Sequence, residues 1–129
     1  MTEFLQELIA SVLLMLGGGL MLIAAVGLYR LPDLLTRMHA TTKAGALGAA
    51  LIIAGVAVHF ADASVTARAA AIIVFIVLTA PVAAHVIGRA GYFVGVPLWE
   101  GTIRDDLKDR YDPDTHILHS RDREADKDE

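Results

Sequence analysis

Arg30, Asp33 and Arg37 stand three and four residues apart, a spacing that can set two cations and an anion along one ridge of a helix. Pro32 suits the first turn of such a helix and Asp33 favours its positive N-terminal end. His39 and Lys43 follow, so the segment from Gly27 to Gly48, GLYRLPDLLTRMHATTKAGALG, reads as a polar hairpin. Leu34, Leu35 and Met38 would give it an apolar side for a membrane interface. The chemistry on offer is ion pairing rather than bond making, and the plainer alternative is an interfacial loop whose arginines snorkel to water.

A second set lies at Pro81, His85 and Arg89, four residues apart, which share a face if one helix runs through them. Pro81 has no N–H, so the carbonyl of Val77 loses its usual partner and becomes an acceptor for a neighbour, a water or an ion. Two readings stay open: a hinge or hydrated spot beside a conducting partner, and a tolerated proline with an interfacial histidine. His59 reads as an ordinary residue of the last turn of its span.

Other chemistry is disfavoured by what the chain lacks. With no cysteine there is no disulfide, no thiolate metal site and no cysteine nucleophile. No Ser/His/Asp constellation, phosphate-cradling loop or histidine metal motif is present, and Gly17, Gly18 and Gly19 sit inside a hydrophobic run where they pack rather than cradle phosphate. No enzymatic activity, cofactor or bound metal is therefore expected. Asp105, Asp106, Asp109, Asp112 and Asp114 with His116 and His119 resemble a cation site only superficially, because arginine and lysine are mixed among them.

These groups need elements to position them. Of 26 charged side chains, 17 fall between Glu100 and Glu129 and nine in the first 99 residues, although the whole chain is 55% hydrophobic. An almost uncharged body with a charged end is the composition of a membrane protein, and it argues against a soluble enzyme or a nucleic-acid-binding module. The expectation is an all-α membrane protein: a membrane domain over residues 1–97, with three transmembrane helices at about 8–28, 44–61 and 69–88, and a charged cytoplasmic tail over 98–129. The first stretch, 21 residues, gives about 31 Å of helix against a bilayer core of about 30 Å. Glu3 and Glu7 stand where a secretory signal would need basic residues, so this span is expected to persist in the protein. The tail, with Trp99 as an interfacial anchor at its start, is expected to be solvated, partly helical and then disordered.

Arg30, Arg37 and Lys43 in the first loop and Arg89 after the third span put that loop and the tail on the cytoplasmic side of the inner membrane, with the N-terminus outside. Ala44, Gly48 and Gly55 share a face of the second span, and with Gly17 to Gly19 they allow close helix packing, either within this chain or against partners. A machine that moves cations or protons through a membrane normally uses an acidic group at depth. The acidic residues before the tail, Glu3, Glu7, Asp33 and Asp62, are expected at or beyond helix ends, which makes partner chains a reasonable expectation.

The hairpin is similar to a known family, the G subunits of the multisubunit monovalent cation/proton antiporters of the Mrp, Mnh and Pha type. The matching pattern is Arg30, Leu31, Pro32, Asp33, then Arg37, His39, Ala40, then Thr42, Lys43, Ala44, Leu47 and Gly48. A second match runs through Ala80, Pro81, Val82, Ala83, Ala84, His85, Arg89 and Ala90, and the resemblance spans roughly residues 5 to 95. It implies an accessory subunit of a hetero-oligomeric complex in the cytoplasmic membrane that exchanges sodium or potassium for protons. It also implies that Arg30, Pro32, Asp33, Arg37, His39 and Lys43 fix the hairpin against neighbouring subunits, and that Pro81 and His85, with Arg89, influence transport. The tail carries no motif of that family. A holin-like protein that assembles with itself into a lesion is the competing reading, but such a pore has no evident need for the charged hairpin.

Overall fold

A computed structural model describes residues 1–103, 105 and 107. Among the described residues four α-helices follow one another: α1 (Thr2–Arg30), α2 (Leu34–Ala40), α3 (Ala46–Phe60) and α4 (Ala63–Phe93). A π-helical turn, Thr41–Gly45, joins α2 to α3. The chain therefore crosses with three helical rods, Thr2–Arg30, Leu34–Phe60 and Ala63–Phe93, each long and apolar enough to span a bilayer.

The rods overrun the charge-free stretches, α1 and α4 at both ends and the second rod at its start. At 29 residues α1 is about 43 Å long. Glu3 falls in its first turn, where an acidic side chain complements the exposed N–H groups, and Glu7 in its second, inside the helix rather than beyond it. The second rod begins at Leu34, ahead of Arg37 and Lys43, so the first charges do not mark where the helix ends.

Small residues set the packing. The buried positions of α1, Ala10, Gly17 and Ala24, are seven apart, as are the buried Gly48 and Gly55 of α3. A seven-residue repeat keeps such positions on one seam of two neighbouring helices. Along this seam the backbones nearly touch: a Cβ on Gly17 would lie 2.7 Å from the Gly48 carbonyl oxygen, and one on Gly48 would lie 2.8 Å from the Gly17 carbonyl oxygen. Lipid tails give helices no hydrophobic reason to associate, so close van der Waals approach of this kind carries the contact. Gly18 and Gly19 have nothing within 4 Å of the equivalent position. Of the three successive glycines, only Gly17 serves the internal seam.

Helix α4 packs on α3 and on the hairpin, through a stripe that runs Val65, Ala69, Ile73, Ile76, Ala80, Ala84, Gly88 and Gly91. It makes no contact with α1, so the helices form an open row with α3 in the middle rather than a closed bundle. The remaining surface of α4 stays exposed, including Phe75, Leu78, Val82 and Val86.

The turn from α3 to α4 is short. Ala61 ends α3 in the left-handed region (φ 47°, ψ 29°), and the Asp62 side chain caps α4 by accepting from the N–H groups of Ser64 at 2.9 Å and Val65 at 3.0 Å. For a residue with a Cβ that conformation costs about 1 kcal/mol relative to glycine. Ala61→Gly is therefore expected to raise the thermal unfolding midpoint in detergent, and an unchanged or lowered midpoint would contradict this account. Val96 closes the first compact unit, Met1–Val96; the second begins at Pro97, and within it the Trp99 ring packs beside Gly101.

Candidate functional site

The charged hairpin is built on a break in the chain. Leu31 is extended (φ −73°, ψ 140°), as the residue before a proline is held to be, and its N–H closes α1 on the Gly27 carbonyl at 3.0 Å. Pro32 accordingly lies in the turn ahead of α2 and not in its first helical turn as expected. Asp33 is the cap itself: its side chain accepts from the Thr36 N–H at 2.9 Å, and the Thr36 hydroxyl donates to the same carboxylate.

This break also prevents the single ridge expected of Arg30, Asp33 and Arg37. Arg30 is the last residue of α1, Asp33 stands at the head of α2, and Arg37 lies one turn inside it. Arg37 nonetheless holds the corner together, because its Nε donates to the Leu31 carbonyl at 2.8 Å and so ties α2 to the end of α1. Arg30, His39 and Lys43 are exposed, whereas Arg37 is half-buried.

The apolar side of the hairpin faces protein rather than the membrane interface. A Cβ on Gly88 would lie 2.8 Å from the Met38 terminal methyl and 3.5 Å from Leu35, and one on Gly91 would lie 2.5 Å from Leu34. The three side chains whose spacing suggests an interfacial face are thus seated on two glycines of α4. On the other side, Gly27 of α1 admits Ala40, 2.7 Å from where a Cβ would be. The hairpin ties together the ends of α1 and α4, which do not otherwise meet.

Sequence reasoning missed the π turn. Its start is held by threonine hydroxyls: Thr41 donates to the carbonyls of Arg37 and Met38, both at 3.0 Å, and Thr42 donates to Met38 at 2.6 Å. Back-bonding of this kind supplies donors where the α-helical ladder changes register. Two adjacent threonines after a charged turn were the available signal. Gln6 was missed as well. Its Nε2 donates to the carbonyls of Val58 and His59, each at 2.9 Å, capping the C-terminal end of α3 from α1. The signal there was a lone amide in an apolar helix. His59 itself sets its ring edge-on to Phe60, with centroids 5.2 Å apart.

Helix α4 continues through Pro81 to Phe93, so Pro81, His85 and Arg89 do lie along one side, and all are exposed. The Arg89 guanidinium sits over the Phe93 ring at 5.1 Å. Just before the proline, Thr79 turns its hydroxyl back onto the Phe75 carbonyl at 2.7 Å. Among the described residues no group of His, Asp and Glu could hold a metal ion. Of the acidic and histidine residues noted in the tail, Asp105 accepts from the Leu107 N–H at 3.1 Å. Asp106, Asp109, Asp112, Asp114, His116 and His119 lie outside the described residues.

Three apolar rods in an open row, laced at one end by a charged hairpin and without an acidic side chain in α1 beyond Glu7 or in α4, define a multi-pass membrane protein of the kind that works within a larger assembly. Residues 13–92 match the family described as Na+/H+ antiporter subunit, and the chain belongs to that family. It is 40% identical over 108 residues to the G subunit of the Na+/H+ antiporter of Alkalihalophilus pseudofirmus, an alignment that covers 82% of this chain and 91% of that one. Similar chains occur in solved structures. One is the Mrp complex from a Dietzia species, at TM-score 0.78 and 26% identity, covering 82% of this chain and 96% of that chain. Another is the membrane-bound sulfane sulfur reductase, an archaeal respiratory membrane complex, at TM-score 0.70 and 36% identity, covering 78% and 94%.

Proposed function

We propose that the chain is an accessory membrane subunit of a hetero-oligomeric sodium or potassium/proton antiporter, supporting its assembly and its ion exchange. Family membership supplies the antiporter. The observation that carries the accessory role is the open row: α1 and α4 do not meet, and no acidic side chain lies within α3 or α4 or in α1 beyond Glu7. A single copy thus has no ring of helices to enclose a polar path and no carboxylate at depth to bind and release a cation. The ion path belongs to other chains, and this one performs no bond-making chemistry.

Basic residues at the hairpin end, Arg30, Arg37, Lys43 and Arg89, support an orientation with the hairpin and the charged tail in the cytoplasm and the N-terminus outside. The exposed Arg30, His39 and Lys43 are available to neighbouring subunits, while Pro32, Asp33 and Arg37 shape the corner that presents them. Similarity to a chain of a respiratory complex fits a structural unit shared between assemblies of different overall chemistry.

The test is a gentle-detergent pull-down of the tagged chain from its native membrane with mass spectrometry of its companions. Co-purification of large multi-span subunits is the expected result; recovery of this chain alone would return the self-assembling, holin-like reading. Pro81→Ala separates transport from packing. If the proline matters to exchange, antiport in membrane vesicles should fall further than the amount of assembled complex, and an equal fall in both would reduce Pro81 to a packing residue.

A further inference from the structure

The outward side of α4 carries polar groups that lipid cannot satisfy. Val77 lies within one residue of the middle of Ala63–Phe93, and because Pro81 has no N–H its carbonyl has no donor at the usual position four residues on. Val77 is 57% exposed, so this stretch of α4 lies on a surface that no other described helix covers. The nearby Thr79 hydroxyl is committed to Phe75. Along the same side, His85 and Arg89 continue the line toward the hairpin end. An unsatisfied carbonyl at the centre of a bilayer is strongly unfavourable, because acyl chains offer no donor.

We propose that this line, Val77, Pro81, His85 and Arg89, is the seat of a transmembrane helix from a different subunit. That helix presents a hydroxyl or amide donor at the depth of Val77 and an acceptor or carboxylate near Arg89. A second copy of this chain does not fit. A parallel twofold pair sets like against like at each depth, acceptor on acceptor at Val77 and cation on cation at Arg89. A partner with the complementary sequence of groups satisfies both ends, and hydrogen bonds between helices are an established glue in membranes.

This inference rests on the accessory-subunit reading, and the experiment separates the two. The photo-reactive residue p-benzoylphenylalanine is placed singly at Val74 or Leu78, which border the polar line on its outward side, and at Ile72 on the opposite side of α4; the intact complex is then irradiated in native membranes. Val74 and Leu78 are expected to give a band shifted by the mass of a partner subunit, and Ile72 none. The shift at Leu78 should weaken in a Pro81→Ala background, where residue 81 regains an N–H for the Val77 carbonyl, while the chain still co-purifies with its partners. Lipid adducts only, equal adducts at all three positions, or adducts between two copies of this chain would overturn the proposal and leave the accessory role standing. Undiminished adducts in Pro81→Ala would overturn the donor assignment. Failure to co-purify with any partner before irradiation would overturn both.

Discussion

Gly48→Ala is expected to destabilise the three-helix unit by about 1–3 kcal/mol, the usual cost of forcing a methyl group into a packed contact. The new Cβ would stand 2.8 Å from the Gly17 carbonyl oxygen and 3.1 Å from the Met21 backbone nitrogen. Both are backbone atoms that cannot swing aside as a side chain does, so α1 and α3 must part. Because this seam joins α1 to α3 together with the Gln6 cap and the hairpin, the loss should appear both as a lower unfolding midpoint in detergent and as less assembled complex. Gly18→Ala provides the matched control. It adds the same methyl group one residue from Gly17, where nothing lies within 4 Å, and should leave the midpoint unchanged or slightly raised, since alanine favours a helix by about 1 kcal/mol over glycine. Equal effects of the two substitutions would mean that the seam does not bind these helices as described.

Asp33→Ala should lower complex yield and antiport together. Two causes are separable. The carboxylate caps α2 through the Thr36 N–H and hydroxyl, a contribution of about 1 kcal/mol, and it is the nearest acidic residue in sequence to Arg30 and Arg37. Asp33→Asn keeps an oxygen that can cap but removes the negative charge. If the cap is the larger cause, Asp33→Asn retains most of the assembly that Asp33→Ala loses; if the charge is, the two variants fail alike. Wild-type yield and transport in Asp33→Ala would remove the hairpin role from this residue altogether.

The three membrane helices were legible because charge is so sparse before residue 100 that length and hydropathy suffice. The family was legible in the hairpin and around Pro81, where uncommon residues in fixed order carry the pattern. What escaped depended on contacts between segments. Charge hid the start of the second rod, since Arg37 and Lys43 sit on helix that extends beyond the apolar stretch. Leu34, Leu35 and Met38 have the spacing of an interfacial face, and only the nearness of Gly88 and Gly91 turns them inward. Three consecutive glycines are equivalent in sequence, yet the register of α1 on α3 picks out Gly17. The residue pattern alone puts Pro32 in the first turn of α2, whereas the extension that proline imposes on Leu31 leaves it in the turn ahead of the cap; Asp33 stands at the N-terminal end that its charge favours.

The π turn at Thr41–Gly45 acts as a vernier between two parts of one rod. A π turn holds about one residue more than an α turn, and one residue is worth about 100° of rotation. That offset lets the hairpin half aim Leu34 and Met38 at α4 while the other half aims Gly48 and Gly55 at α1. Deleting a single residue between Thr41 and Gly45 would swing one set of side chains about a quarter-turn from its target, whereas a substitution that keeps the length would not. In this stretch the number of residues encodes more than their identity.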